Sequence, residues 1–294
     1  MTDYATPRDR FGRPMLYPDD GGARTAYTRV STAAKYTDDK GGLINWTASQ
    51  AMIGLIKSRP LQARVSSLIA STQNDTYREH KSQLKELVEN ATQIAQASGR
   101  ADFGTAVHQF TELIDNGKLD WDYVPESLKG PLDAYAQAMQ GITILDSEVF
   151  VAVDADVDDK KIRIAGSMDR VVHHPELGIV VADVKTGADE PRYPSGVTTQ
   201  VAIYARGMRY RDSAFPGTPA FTDGEPNCDG TAWRKPLWPN VSNEVGLMIH
   251  CPLEKVNGKY ICDMYPLNLT KGWETLQLGL KVQEVRRPPK LRAL

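Results

Sequence analysis

Apolar residues recur at helical spacing from Trp46 to about residue 140 and then at every second position, so the chain changes period near residue 145. From Trp46 to about Ala97 the pattern is helical. Met52, Leu55 and Ile56, then Leu61, Val65, Leu68 and Ile69, form stripes, with Pro60 at a helix boundary. The charged stretch YREHKSQLKELVENATQIAQA predicts a long amphipathic helix with Leu84, Leu87, Ala91 and Ile94 on one face. A further helix covers DFGTAVHQFTELIDNG, with Phe103, Val107, Phe110 and Ile114 as its stripe and Asn116-Gly117 as its stop, and another spans roughly 125–140. Segments 145–155, 161–173 and 178–185 alternate as consecutive strands, joined by turns at Asp158-Asp159 and His174-Pro175-Glu176. A helix is expected in SGVTTQVAIYARGMRY, then two strands at 244–251 and 259–266, and a last helix from about Thr270.

This order predicts an α/β fold with a central mixed β-sheet flanked by helices, rather than the strict alternation of a doubly wound sheet. The polar opening, rich in Pro, Gly and Asp, reads as an N-terminal arm over 1–45, followed by a helical region over 46–100 and a core over 101–294. Within the core, residues 212–243 hold five prolines and three glycines beside Trp233 and Trp238, and read as a loop insertion.

Composition narrows the function classes only a little. With 294 residues the chain can bury a proper core, and its net charge of −2 gives no global signal for nucleic acid while leaving a local basic groove open. The three cysteines, Cys228, Cys251 and Cys262, lack CxxC spacing and are odd in number, which points to reduced thiols in a cytoplasm. The opening MTDYATPRDRFGRPMLYPDD has no apolar core and does not read as a signal peptide, and no run approaches the ~20 apolar residues of a membrane span.

Candidate chemistry gathers on the strands. In GIVVADVKTG (178–187) an otherwise apolar strand carries Asp183 and Lys185 on one face, with Val184 on the other. Buried carboxylate and ammonium are costly unless paired or used, and a plain salt bridge before a Thr-Gly turn accounts for them equally well. One strand earlier, in AGSMDR (165–170), Asp169 precedes Asp183 by fourteen residues and a short hairpin, which brings the two within roughly 5–8 Å. Two acids so close repel, unless a hard divalent cation with oxygen ligands sits between them. Gly166 would let a backbone or ligand approach the strand. The bland alternative is an Asp169–Arg170 surface pair.

Taken in order, His108, Glu148, GSMDR (166–170), DVKTG (183–187) and Gln200-x-x-x-Tyr204 resemble the RecB-type branch of the PD-(D/E)xK nucleases, over about 100 of the 294 residues. The phage-encoded exonucleases of that branch look closest, since YTRVSTAAK followed by Asp39, Leu43 and Trp46 also resembles their opening. The resemblance implies a restriction-endonuclease-like core with an N-terminal helical region. It implies Mg²⁺ or Mn²⁺, one or two ions, with His108, Asp169 and Asp183 as ligands, the carbonyl of Val184 as a further one, and Glu148 as a ligand to a second ion through water. Lys185 would hold the attacking water or stabilise charge on the phosphate, and Gln200 and Tyr204, one helical turn apart, would orient the lysine or touch the DNA backbone. The histidine shifts preference toward Mn²⁺, because imidazole is softer than carboxylate.

The implied activity is a metal-dependent deoxyribonuclease, an exonuclease of DNA replication, recombination or end processing. Its partners would be DNA and a recombinase, helicase or single-strand-binding protein, in bacterial cytoplasm or that of a phage host, with no membrane. An iron–sulfur cluster is not expected, because the relatives that carry one bracket the domain with four cysteines, whereas here there are three and none precedes the motifs. The rival reading is a nuclease-fold DNA-binding or recombination accessory subunit without catalysis. Ser82-Gln-Leu-Lys85 with Lys185-Thr-Gly187 mimics a serine-enzyme signature but lacks its middle element. The basic end (Arg286, Arg287, Lys290, Arg292) and the two tryptophans of the insertion suit either a grip on strands or a solvated tail and loop core.

Overall fold

The computed structural model describes residues 6–38, 41–95, 97–187, 194–213 and 224–286, without the side chains of Leu43, Pro252 and residues 97–102. Asp39, Arg287, Lys290 and Arg292, singled out from the sequence, lie outside the described residues, as does part of the 212–243 segment. Two compact units emerge, Met1–Asp38 with Phe110–Leu294, and Asp39–Gln109.

The opening of the chain is irregular but anchored. Strand β1 (Met15–Leu16) pairs antiparallel with β2 (Thr25–Ala26), and β3 (Thr28–Arg29) runs parallel to a later strand before the short helix α1 (Val30–Ala33). Leu16, Tyr27, Val30 and Ala33 are buried, so this lead-in belongs to the core of the first unit. Polar contacts fix it there. The Tyr27 hydroxyl donates to Asp154 at 2.6 Å, Tyr17 N–H donates to the Tyr210 hydroxyl at 2.9 Å, and Arg24 pairs with Asp212 at 3.2 Å. Such anchors are side-chain hydrogen bonds across more than a hundred residues, which no hydrophobic period signals.

The second unit holds helices α2 (Gly41–Lys57), α3 (Arg59–Ser71) and α4 (Thr76–Ile94). Pro60 lies in the first turn of α3, where a missing N–H costs nothing, and the Ser58 side chain caps that turn. Leu61, Leu87 and Ala91 are buried together, while Ile94, expected on the same stripe, is exposed. A Cβ on Gly54 would fall 1.7 Å from the Ala91 carbonyl oxygen, so α2 can approach α4 this closely only with glycine there. Helix α5 (Ala97–Asp115) leads from this unit into the first.

After α6 (Glu126–Ala138) come three long strands in a meander, β4 (Thr143–Val157), β5 (Lys160–His174) and β6 (Gly178–Gly187), then α7 (Ser195–Ala205). The helix expected through GMRY ends at Ala205 instead, and Met208–Asp212 forms strand β7. A side chain at Gly207 would meet Val151 at 3.1 Å, and this close passage turns the chain onto the edge of β4. The segment read as a loop contains β8 (Glu225–Pro226) and β9 (Ala232–Pro236), and β9 extends the sheet beside β7. Strands β10 (Val245–Pro252) and β11 (Asp263–Asn268) and helix α8 (Leu269–Val285) complete the described chain.

The sheet runs β11-β10-β6-β5-β4-β7-β9-β8, with β10 parallel to β6 and the meander antiparallel, so it is mixed. Pairing between β5 and β6 stops at Arg170↔Ala182, and beyond that rung β5 pairs with β3 instead. The two strands therefore fork. Asp169 and Asp183 are the first residues past the last rung.

Arg170 does not form the surface pair considered from the sequence. It is buried, in a close ion pair with Asp115 of α5, and donates to the Thr111 hydroxyl at 2.9 Å, while the Tyr135 hydroxyl donates to Asp115 at 2.7 Å. Arg170→Ala would leave the Asp115 carboxylate buried and uncompensated, and should destabilise the protein by about 3–5 kcal/mol. Replacing both partners (Arg170→Met with Asp115→Leu) should recover most of that loss. Urea unfolding with an unchanged m-value is the measurement.

Candidate active site

Three acids form one row across the fork. The flanking pairs Ser147↔Arg170 and Val149↔Met168 set Glu148 of β4 opposite Asp169 of β5, and continuing the β5–β6 register sets Asp169 opposite Asp183. Where β6 leaves β5, the backbone N–H of Val184 loses its ladder partner and donates to Asp169 Oδ2 at 2.8 Å. Glu148 sits in the left-handed region (φ 52°), a conformation that costs a non-glycine residue about 1–3 kcal/mol and concentrates at functional sites.

Asp183 is 1% exposed. Its Oδ1 accepts from Gln200 Nε2 at 3.0 Å, and Lys185 Nζ lies 2.5 Å from Oδ2. Oδ2 is thus held by the ammonium as an ion pair, and no other donor among the described residues reaches it. Burial, and then the neighbouring Asp169, push the Asp183 carboxyl up to about 7, against the opposing pull of Lys185. Glu148 is exposed at the surface but its carboxyl also rises to about 7, through partial desolvation and repulsion from Asp169 and from Glu112 of α5. Tyr204 is buried one turn from Gln200, and burial with the nearby Asp183 and Asp169 raises its phenol, so it remains a protonated donor. The space read as a ligand approach at Gly166 is filled from within: a Cβ there would meet Val30 at 3.2 Å and the Tyr204 hydroxyl at 3.4 Å.

The structure thus brings Glu148, Asp169, Asp183, Val184, Lys185, Gln200 and Tyr204 into one neighbourhood. His108 is half-buried on α5, in the other unit, one turn before Glu112 on the same helix. Two residues escaped the sequence reading. Glu112 adds to the negative potential at Glu148, and buried His250 on β10 stands in register with Lys185. A helical carboxylate in an amphipathic pattern looks like a solvated one, and parallel register between β6 and β10 cannot be read from one sequence.

A cation fits this donor set in part. Two neighbouring carboxyl groups, of which Asp183 is buried and has its proton affinity raised by burial and by Asp169, form the hard-oxygen environment that Mg²⁺ or Mn²⁺ prefers. Among the described residues, however, no group of three or more His, Cys, Asp or Glu side chains is gathered closely enough to hold a metal. The Lys185 ammonium lies beside Asp183 and supplies the neutralising charge.

A family model described as the PD-(D/E)XK nuclease superfamily matches residues 123–221. That segment includes the whole meander and α7, with every site residue from Glu148 to Tyr204, and leaves His108 outside it. The match supports that superfamily and nuclease activity in general, and the mixed sheet flanked by helices is consistent with its restriction-endonuclease-like fold. No curated protein matches the chain. A solved structure titled "Crystal structure of SSO0001" is similar over 79% of this chain and 87% of that one, at 13% identity and a TM-score of 0.32, too slight a likeness to support an inference. Among the described residues no helix is long and apolar enough to cross a membrane.

The raised Asp183 carboxyl has a consequence for stability. Without a cation the folded protein holds a proton there that the unfolded chain releases near pH 4, so its contribution is complete below that pH and is lost as pH rises through about 7. The slope for one proton is at most about 1.4 kcal/mol per pH unit. Thermal unfolding in chelator between about pH 4.5 and 7.5 should show stability falling with pH, and Asp183→Asn should flatten the fall. Parallel slopes for both proteins would contradict this.

Proposed function

We propose that the protein is a divalent-metal-dependent DNA nuclease of the RecB-like kind, acting as an exonuclease in replication, recombination or end processing. The observation that carries this reading is the cross-strand row of acids at the β5–β6 fork, with Lys185 on the strand that carries Asp183. Asp169 and Asp183, with the Val184 carbonyl, would hold Mg²⁺ or Mn²⁺. His108 from α5 would complete the set, and Glu148 would serve a second ion through water. When bound, the metal supplies an activated water and neutralises charge developing on the phosphate.

The chain's own residues do the rest. Gln200 donates to Asp183 Oδ1 and so fixes the rotamer that leaves Oδ2 for the cation. Lys185, 37% exposed along its side chain, is the group of the pair that reaches solvent, and its point charge would move from Asp183 to the scissile phosphate or the attacking water. Tyr204, kept protonated, would donate a hydrogen bond toward the acids and steady Gln200. The meander and α7 hold these groups on rigid elements, which a positional requirement of fractions of an ångström demands.

End-labelled single- and double-stranded DNA, incubated with Mg²⁺ or Mn²⁺, tests the reading and reports strand preference and mode. Asp183→Ala should lose both metal binding and cleavage, whereas Lys185→Ala should keep the metal and lose about 10²-fold or more in rate. His108→Ala should weaken metal affinity by about 10–100-fold, with partial rescue by excess Mn²⁺. Cleavage by Asp183→Ala at the wild-type rate would refute the site. No cleavage by the wild-type protein with any divalent metal would favour the accessory-subunit reading.

A further inference from the structure

The β10–β11 hairpin carries two thiols face to face. His250 and Asp263 are its last paired residues, so Cys251 and Cys262 stand directly opposite each other just beyond, with their Sγ atoms 3.4 Å apart. Opposite residues of an antiparallel pair have Cα atoms about 4.5–5.5 Å apart, within the span a disulfide bridges. Access to the two sulfurs differs. Cys251 is fully buried, while Cys262 is half-buried and follows an exposed loop that includes Lys255 and Lys259. The hydrogen bond to Cys262 and burial both raise the Cys251 thiol above the usual range, so it stays protonated while the outer sulfur meets solvent.

We propose that Cys251 and Cys262 form a redox modification site, a dithiol that a small disulfide oxidant converts reversibly into an intramolecular disulfide closing the 252–261 loop. The Cys262 thiolate attacks one sulfur of the oxidant, forming a mixed disulfide and expelling the other sulfur as a thiolate, which takes up the proton that Cys262 gave up. Cys251, on losing its proton, attacks the Cys262 sulfur and expels the second thiolate, which takes up that proton. Two protein thiols are oxidised, one oxidant disulfide is reduced to two thiols, and no water or metal takes part. Proximity makes the second attack intramolecular, which favours ring closure over a lasting adduct.

The loop this bond would close lies beside the candidate site. Cys251 is in register with Thr186 and Pro252 with Gly187, and Leu253 N–H donates to the Gly187 carbonyl at 2.9 Å. Oxidation would therefore pin the loop against the end of the strand that carries Asp183 and Lys185. The third thiol, Cys228, is exposed in the turn between β8 and β9, donates to the Asp20 carbonyl at 2.8 Å and serves as an internal control.

The experiment is peptide mapping of the folded protein after millimolar glutathione disulfide, with free thiols alkylated before digestion. The expected product has lost two hydrogens, links Cys251 to Cys262, and reverts with dithiothreitol. Because trypsin can cut after Lys255 and Lys259, the cut halves of the loop should stay joined until reduction. The link should form equally well in Cys228→Ser and be absent from Cys262→Ser. A glutathione adduct that persists on Cys262, or both thiols remaining free to alkylate while Cys228 alone reacts, would overturn the proposal. The wild-type map decides the matter even if Cys262→Ser fails to fold.

Discussion

The hydrogen bond from Val184 N–H to Asp169 is the constraint on which the site depends. A sheet that forks must find new partners for the backbone groups it unpairs, because a buried N–H left alone costs about 1–3 kcal/mol. Here the partner is a carboxylate, and the residue before Val184 on the forking strand is itself an acid, Asp183. The same bond that heals the fork therefore brings two carboxyl groups together, one of them, Asp183, almost closed to water. Everything nearby responds to that: Lys185 lies against Asp183, Gln200 donates to it, and Tyr204 keeps its proton.

Around this point the fold divides its labour. Arg170 faces Asp115, Thr111 and Tyr135, tying α5 and α6 to β5, while its neighbour Asp169 turns to the fork. Adjacent residues of one motif thus do different work, one holding helices and the other shaping chemistry. Val201 and Ile203 bury α7 in the core, and that packing presents Gln200 to Asp183. The lead-in is held by Tyr27, Arg24 and Tyr17, and places Val30 beside Gly166, behind the Tyr204 hydroxyl.

Much of this was legible in the sequence, for definable reasons. The meander strands show clear two-residue alternation and short turns, and their expected limits lie within a few residues of β4, β5 and β6. Asp169, Asp183 and Lys185 could be placed together because antiparallel register follows from a short hairpin. The spacing of four between Gln200 and Tyr204 put them on one helical face. What escaped depends on long-range pairing. Strand β7 hides at the end of a helical pattern, β9 hides among prolines, and His250 gains its place beside Lys185 only through parallel pairing between β6 and β10. The left-handed backbone of Glu148 has no signal in its residue type.

The central claim is that the paired acids at the fork hold a divalent cation. Crystals soaked in Mn²⁺ and measured near the manganese absorption edge test it most directly, because anomalous scattering locates the ion without reference to activity. The account predicts a peak within coordination distance of both Asp169 and Asp183, with Lys185 displaced from Asp183 Oδ2. A well-ordered fork with Lys185 still against Asp183, and manganese absent or bound elsewhere, would contradict it.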